Sequence, residues 1–103
     1  MDNTERLIRE QVKISTEVMI EKNKQRADCW RPVGLMGTYI EIKSIYYRLH
    51  QLIWKQQCFP LDGDVDKWYN QVSDALGDLR NFTTLADICL IEQNLFGDDN
   101  ELL

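Results

Sequence analysis

Helix-breaking residues are gathered at a few short places in this chain, and that constrains its fold more than any other feature. Two prolines and five glycines occur in 103 residues. Pro32 clusters with Gly34 and Gly37, and Pro60 with Gly63, leaving three long uninterrupted segments. Each carries apolar residues at helical rather than alternating spacing, which predicts an all-α domain of about three long helices. The first starts at Asp2, with Glu5 placed to complete a capping box, and runs to about Arg26, roughly 35 Å. Leu7, Ile8, Val12, Val18, Met19 and Ile20 fall on its one broad apolar face. After a connection over Ala27 to Val33, with Pro32 suited to a first helical turn, the second helix runs from about Gly34 to Gln57. Leu35, Tyr39, Ile42, Tyr46, Leu49 and Ile53 form its near-heptad core stripe. Met36, Ile40, Ile45, Leu52 and Trp54 widen that stripe, so this helix is expected to be central. The third begins near Asp64 and carries Val65, Trp68, Val72, Leu76, Leu79, Thr83, Ala86 and Leu90. It is expected to end before Gly97, leaving residues 97–103 as an acidic tail of a single domain over 1–103.

Composition sets the class. A 44% hydrophobic and 28% charged chain has the balance of a globular domain. One this small buries a modest fraction of its surface, so a homodimer or homotetramer, with helix two near the interface, is expected. The net charge is −5, and the basic residues of the first helix (Arg6, Arg9, Lys13, Lys22, Lys24, Arg26) alternate with Glu5, Glu10, Glu17 and Glu21. This is the pattern of a solvated, ion-paired surface, and it argues against DNA or RNA binding, which needs a basic footprint. A free nucleotide carried with Mg²⁺ remains compatible with an acidic protein. Cys29, Cys58 and Cys89 are odd in number and widely spaced, arguing against a disulfide framework or a structural zinc site. With a charged N-terminus and no apolar run of membrane-spanning length, a cytoplasmic protein without membrane partners is expected.

Polar strips run beside the apolar ones. Glu41, Ser44, Arg48, Gln51 and Lys55 line one strip of helix two, and Gln71, Asp74, Asp78 and Asn81 one of helix three. Asp74 and Asp78 are i,i+4 neighbours of like charge, a mildly unfavourable pair unless Arg48 or a metal sits nearby. Two carboxylates from one helix and one from a facing helix suit an oxygen-rich Mg²⁺ site; ordinary solvated surface charge is the competing explanation. Asp62-Gly63-Asp64-Val65-Asp66 resembles the start of a calcium loop only superficially, since Lys67 and Ser73 stand where Gly and Glu belong. Helix capping by Asp62 or Asp64 accounts for those acids better. His50 has no nucleophile arranged with it and reads as structural, and Cys29 beside Trp30 reads as packing. Gly77, inside a helix, predicts close approach of another helix or a ligand.

Asp28-Cys29-Trp30, Gly34-Leu35-Met36-Gly37 and Arg48-Leu49, with Asp74-Ala75-Leu76-Gly77-Asp78-Leu79-Arg80-Asn81-Phe82, resemble the phage and bacterial family called nucleotide modification associated domain 1. That family belongs with the all-α nucleoside triphosphate pyrophosphatases of the MazG type. The resemblance covers about Asp28 to Leu90. It implies an oligomeric helical bundle with Mg²⁺, or Mn²⁺, held by Glu41, Asp74 and Asp78, with Glu41 and Asp78 catalytic. It also implies that Asn81 contacts a nucleotide; in the mechanism expected on that basis, Arg48 or Lys43 neutralises developing charge on the phosphates and Trp30 stacks on the base. The chain departs from the pattern at Ser44, where a second acid would stand, at Ile45, where relatives tend to carry Lys, and at Ala75, where Glu is usual. Two readings follow: a Mg²⁺-dependent nucleoside triphosphate pyrophosphohydrolase of phage-type nucleotide metabolism, or a catalytically degenerate helical module that binds a nucleotide or a protein partner.

Overall fold

A computed structural model describes residues 2–26, 30–55, 63–93 and 95–96. Those residues form an all-α structure of three long helices, with no strand among them. The expected cap at Asp2, the thiols of Cys29 and Cys58, Asp62, the end of helix two at Gln57, and Gly97 with the acidic tail lie outside the described residues or side chains.

Helix α1 spans Asp2–Arg26, and no breaker interrupts it. Glu5 and Arg9, and Arg6 and Glu10, pair across i,i+4 on its outer side, the spacing that brings helical side chains together. A single 3₁₀ turn, Arg31–Val33, carries Pro32 at its start, where the missing N–H costs nothing. Gly34 then takes φ 63°, a conformation that penalises any Cβ, and α2 runs over Gly34–Leu49. It continues through a π-helical turn, His50–Trp54, closed by the Lys55 amide donating to the His50 carbonyl at 3.1 Å. Helix α3 spans Val65–Ile91, with Asp64 as its N-cap accepting from the Lys67 amide at 3.1 Å. This is the role the sequence suggests for that acid.

α2 and α3 form an antiparallel hairpin. At one end the Trp68 indole N–H donates to the Leu52 carbonyl at 2.7 Å. At the other, Arg31 pairs with Glu92 and the Met36 amide reaches the Leu95 carbonyl. α1 lies along α3 in the same direction, Gln11 beside Trp68 and Lys22 beside Asp78. The buried set among the described residues is small: Trp30, Ile45, Ala75, Leu85 and Cys89, with the polar Ser15, Thr38 and Asn81. Trp30, Leu85 and Cys89 make the apolar cluster, with Leu35, Phe82 and Ile88 packed around it.

Two expectations about packing are corrected. Tyr39 and Tyr46 are 57% and 65% exposed, so they do not belong to the core stripe of helix two. The inward line of α2 is instead Gly34, Thr38 and Ile45, flanked by half-buried Leu35, Ile42 and Leu49. On α1, Ser15 is the one buried residue described, and Leu7, Ile8, Val12, Val18 and Ile20 stay substantially exposed. The apolar face of α1 is therefore real, but α3 covers only a thin line of it.

Candidate functional site

The three helices converge on a cleft of about 480 Å³, in the size range of small-molecule sites. The last turns of α1 contribute Lys22, Asn23 and Arg26, the 3₁₀ turn Val33, the first half of α2 Gly37, Thr38, Ile40 and Glu41, and α3 Asn81, Phe82 and Leu85. Trp30 closes the end. Gly37 is required here: a Cβ on it would lie 2.4 Å from Val33 Cβ. The Thr38 hydroxyl turns back to the Leu35 carbonyl at 2.8 Å and so is satisfied locally.

Asn81 behaves differently. The residue is 6% exposed, borders both the cleft and the seam between α1 and α3, and its amide is not closed off from water. A side-chain amide carries two donors and two acceptor lone pairs. On the other side of that seam, the buried Ser15 hydroxyl lacks a partner.

Trp30 forms a wall of the cleft more than an open platform. It is 8% exposed, its indole N–H donates to Asn23 Oδ1 at 2.7 Å, and Arg31 covers one face of the ring at 4.7 Å from the centroid. Arg31 in turn pairs with Glu92. Burial raises the pKa of the Cys89 thiol above its ordinary value; the Glu92 carboxylate adds to the effect and Arg31 opposes it.

Of the predicted site residues, the structure brings Trp30, Glu41 and Asn81 to one cleft. Lys43 is exposed and absent from its lining. Arg48 is also outside that lining, bound at 3.5 Å to Asp78, whose other oxygen takes Lys22 at 3.3 Å. The like-charge cost of Asp74 and Asp78 is thus relieved by cations of the protein itself, and Asp78 ties all three helices together. Asp74 is exposed at the α1–α3 seam. No three His, Cys, Asp or Glu side chains among the described residues close on a common point. Glu41, Asp74 and Asp78 therefore do not close on one point within one chain, and a Mg²⁺ held by one or two of them together with phosphates remains an expectation of the resemblance. At Gly77 the nearest atom to an added Cβ is Arg80 Nη2 at 3.9 Å, so no other helix among the described residues approaches it closely, and the expected close approach of a helix is corrected to that extent.

Lys22, Asn23 and Arg26 were not anticipated as site residues. Their signal was weak: two cations four residues apart at the end of a helix, amid acids that gave them the look of solvated surface. Among the described residues, no helix is long and apolar enough to cross a membrane. The chain matches no known protein family, no curated protein sequence and no solved structure.

Proposed function

We propose that this chain is a helical nucleotide-binding module, related in design to the all-α nucleoside triphosphate pyrophosphatases its sequence resembles and acting in phage-type nucleotide metabolism. The observation that carries the reading is Asn81. An amide set in the wall of an open cleft is matched by a ligand edge that offers a donor beside an acceptor, as a nucleobase does. The apolar side chains of Val33, Ile40, Phe82 and Leu85 suit the faces of a flat ring, and Lys22 and Arg26 supply positive charge on the same cleft for phosphate. Trp30 limits the depth of the site. The protein acts as a homodimer or homotetramer.

Calorimetric titration with the common nucleotides, with and without Mg²⁺, tests this. At least one nucleotide is expected to bind in the micromolar range, and Asn81→Leu to weaken it about tenfold or more while the fold is kept, since the variant removes the amide offered to the ligand and fills the same place with a side chain of similar size. Absence of binding by every nucleotide at millimolar concentration refutes the proposal.

A second reading, a Mg²⁺-dependent pyrophosphohydrolase, is favoured by one observation: Glu41 borders the same cleft as Asn81, and Asp78 lies one turn before Asn81 on α3. It requires Asp78 to leave Lys22 and Arg48. Pyrophosphate release from the same nucleotides with Mg²⁺ or Mn²⁺ separates the two readings.

A further inference from the structure

We propose that the cleft holds a nucleotide by its nucleoside and first phosphate alone, so that the group it recognises is a nucleoside monophosphate and a second or third phosphate adds no hold. The inference rests on the nucleotide reading and deepens it, naming the part of the ligand that is read. It is carried by the charges around the cleft. Among the described residues, the charged side chains of the lining are Lys22, Arg26 and Glu41. Lys22 is already engaged, its ammonium 3.3 Å from one oxygen of Asp78, while Arg48 lies 3.5 Å from the other. Asp74 stands one turn before Asp78 on α3, about 6 Å away by helical spacing. Lys22 and Arg48 therefore face two carboxylates, and Arg26 is balanced by Glu41. The cleft carries no surplus of positive charge.

One phosphate suits this set. Lys22 and Arg26 lie four residues apart in the last turns of α1, so their side chains are neighbours that a single phosphate can bridge. An ammonium has three donors, and the bond to Asp78 leaves Lys22 two to give. Arg26 is exposed and enters none of the ion pairs of the described residues, so its planar fork is open to phosphate oxygens. The nucleoside then lies against Val33, Ile40, Phe82 and Leu85, with Asn81 at its polar edge.

Further phosphates meet nothing comparable. Each adds negative charge, and the groups beyond Lys22 are the carboxylates of Asp78 and Asp74, with Glu41 on the cleft wall. α1 ends at Arg26, so the negative pole of its helix dipole also points here. Arg31 is paired with Glu92, and Lys43 is exposed outside the lining. Cations farther off than a Debye length of about 8 Å are screened at physiological salt. The outer phosphates therefore project into solvent.

Calorimetric titration in EDTA at physiological salt tests this, with adenosine, AMP, ADP and ATP and the matching guanosine, cytidine, uridine and thymidine series. In the series that binds, mono-, di- and triphosphate are expected within about twofold of one another, because the outer phosphates are screened. The nucleoside is expected about tenfold or more weaker than its monophosphate, having lost the charge-assisted contacts. Arg26→Gln should weaken mono- and triphosphate by one common factor of about tenfold and leave the nucleoside unchanged. Asp78→Asn releases Lys22, and the triphosphate should then bind about fivefold tighter than the monophosphate. Wild-type affinity that climbs about fivefold or more with each phosphate, a nucleoside as tight as its monophosphate, an Arg26→Gln variant that loses both alike, or a flat series in Asp78→Asn overturns the inference while the nucleotide reading stands. Absence of binding in every series refutes that reading, and this inference with it.

Discussion

The same substitution, Gly→Ala, is expected to have opposite signs at two helical positions of this protein. Gly77 lies inside α3, and a Cβ there meets nothing nearer than Arg80 Nη2 at 3.9 Å. Nothing has to move, so Gly77→Ala should collect the helix-propensity difference of about 0.8–1 kcal/mol. For a domain of this size that raises Tm by roughly 4–8 °C. Gly37 lies in the first turn of α2 and would collect part of the same gain. Its new Cβ, however, falls 2.4 Å from both Cβ and Cγ2 of Val33. Rotating Val33 moves Cγ2 but not Cβ, so the 3₁₀ turn itself must shift. Overpacking of this kind costs about 1–3 kcal/mol, and the short distance places the site at the upper end, for a net loss of about 2 kcal/mol. Chemical denaturation of the two variants beside wild type measures both numbers. Stabilisation by Gly37→Ala would refute the described junction between the 3₁₀ turn and α2. Destabilisation by Gly77→Ala would show that this face of α3 is closely covered by something outside the described contacts.

Asp78→Asn keeps the shape of the side chain but weakens its ties to Lys22 and Arg48; these pairs are partly exposed, so denaturation should register a loss below about 1 kcal/mol. A gain in stability would mean that Asp78 is repelled more by Asp74 than it is held by the two cations. Cys89 gives a pH signature. Its folded pKa is raised by burial, so its contribution to stability is complete below the ordinary thiol pKa and is lost as pH rises from there through the folded value. Wild type should therefore destabilise more steeply than Cys89→Ala above pH 9; parallel curves would remove the thiol from the account.

Much of the backbone was legible in the sequence. Pro32 and Gly34 mark the break before α2, and Asp64 caps α3 as its position suggests, because capping and breaking are local chemistry. Which arc of a helix faces inward is not local. On α2, apolar residues cover more than half the circumference, so a stripe containing Tyr39 and Tyr46 and an inward line through Thr38 and Ile45 are equally periodic. Burial by α3 chooses the second. The relief of Asp78 by Arg48 was foreseeable from the facing strips, whereas Lys22 lies 56 residues away and reaches Asp78 only through the packing of α1. Asn81 was picked out by the polar strip and by the resemblance; its place in the wall of a cleft appears only when all three helices are in place.

Nuclear magnetic resonance of ¹⁵N-labelled protein during titration with nucleoside triphosphates tests the central claim most directly, because the Asn81 side-chain NH₂ and the Trp30 indole N–H each give resolved signals. Nucleotide binding in the cleft predicts that these two signals shift together and saturate in the micromolar range. Signals that stay fixed to millimolar nucleotide, or shifts confined to Tyr47 and Trp54 on the outward face of α2, would contradict it.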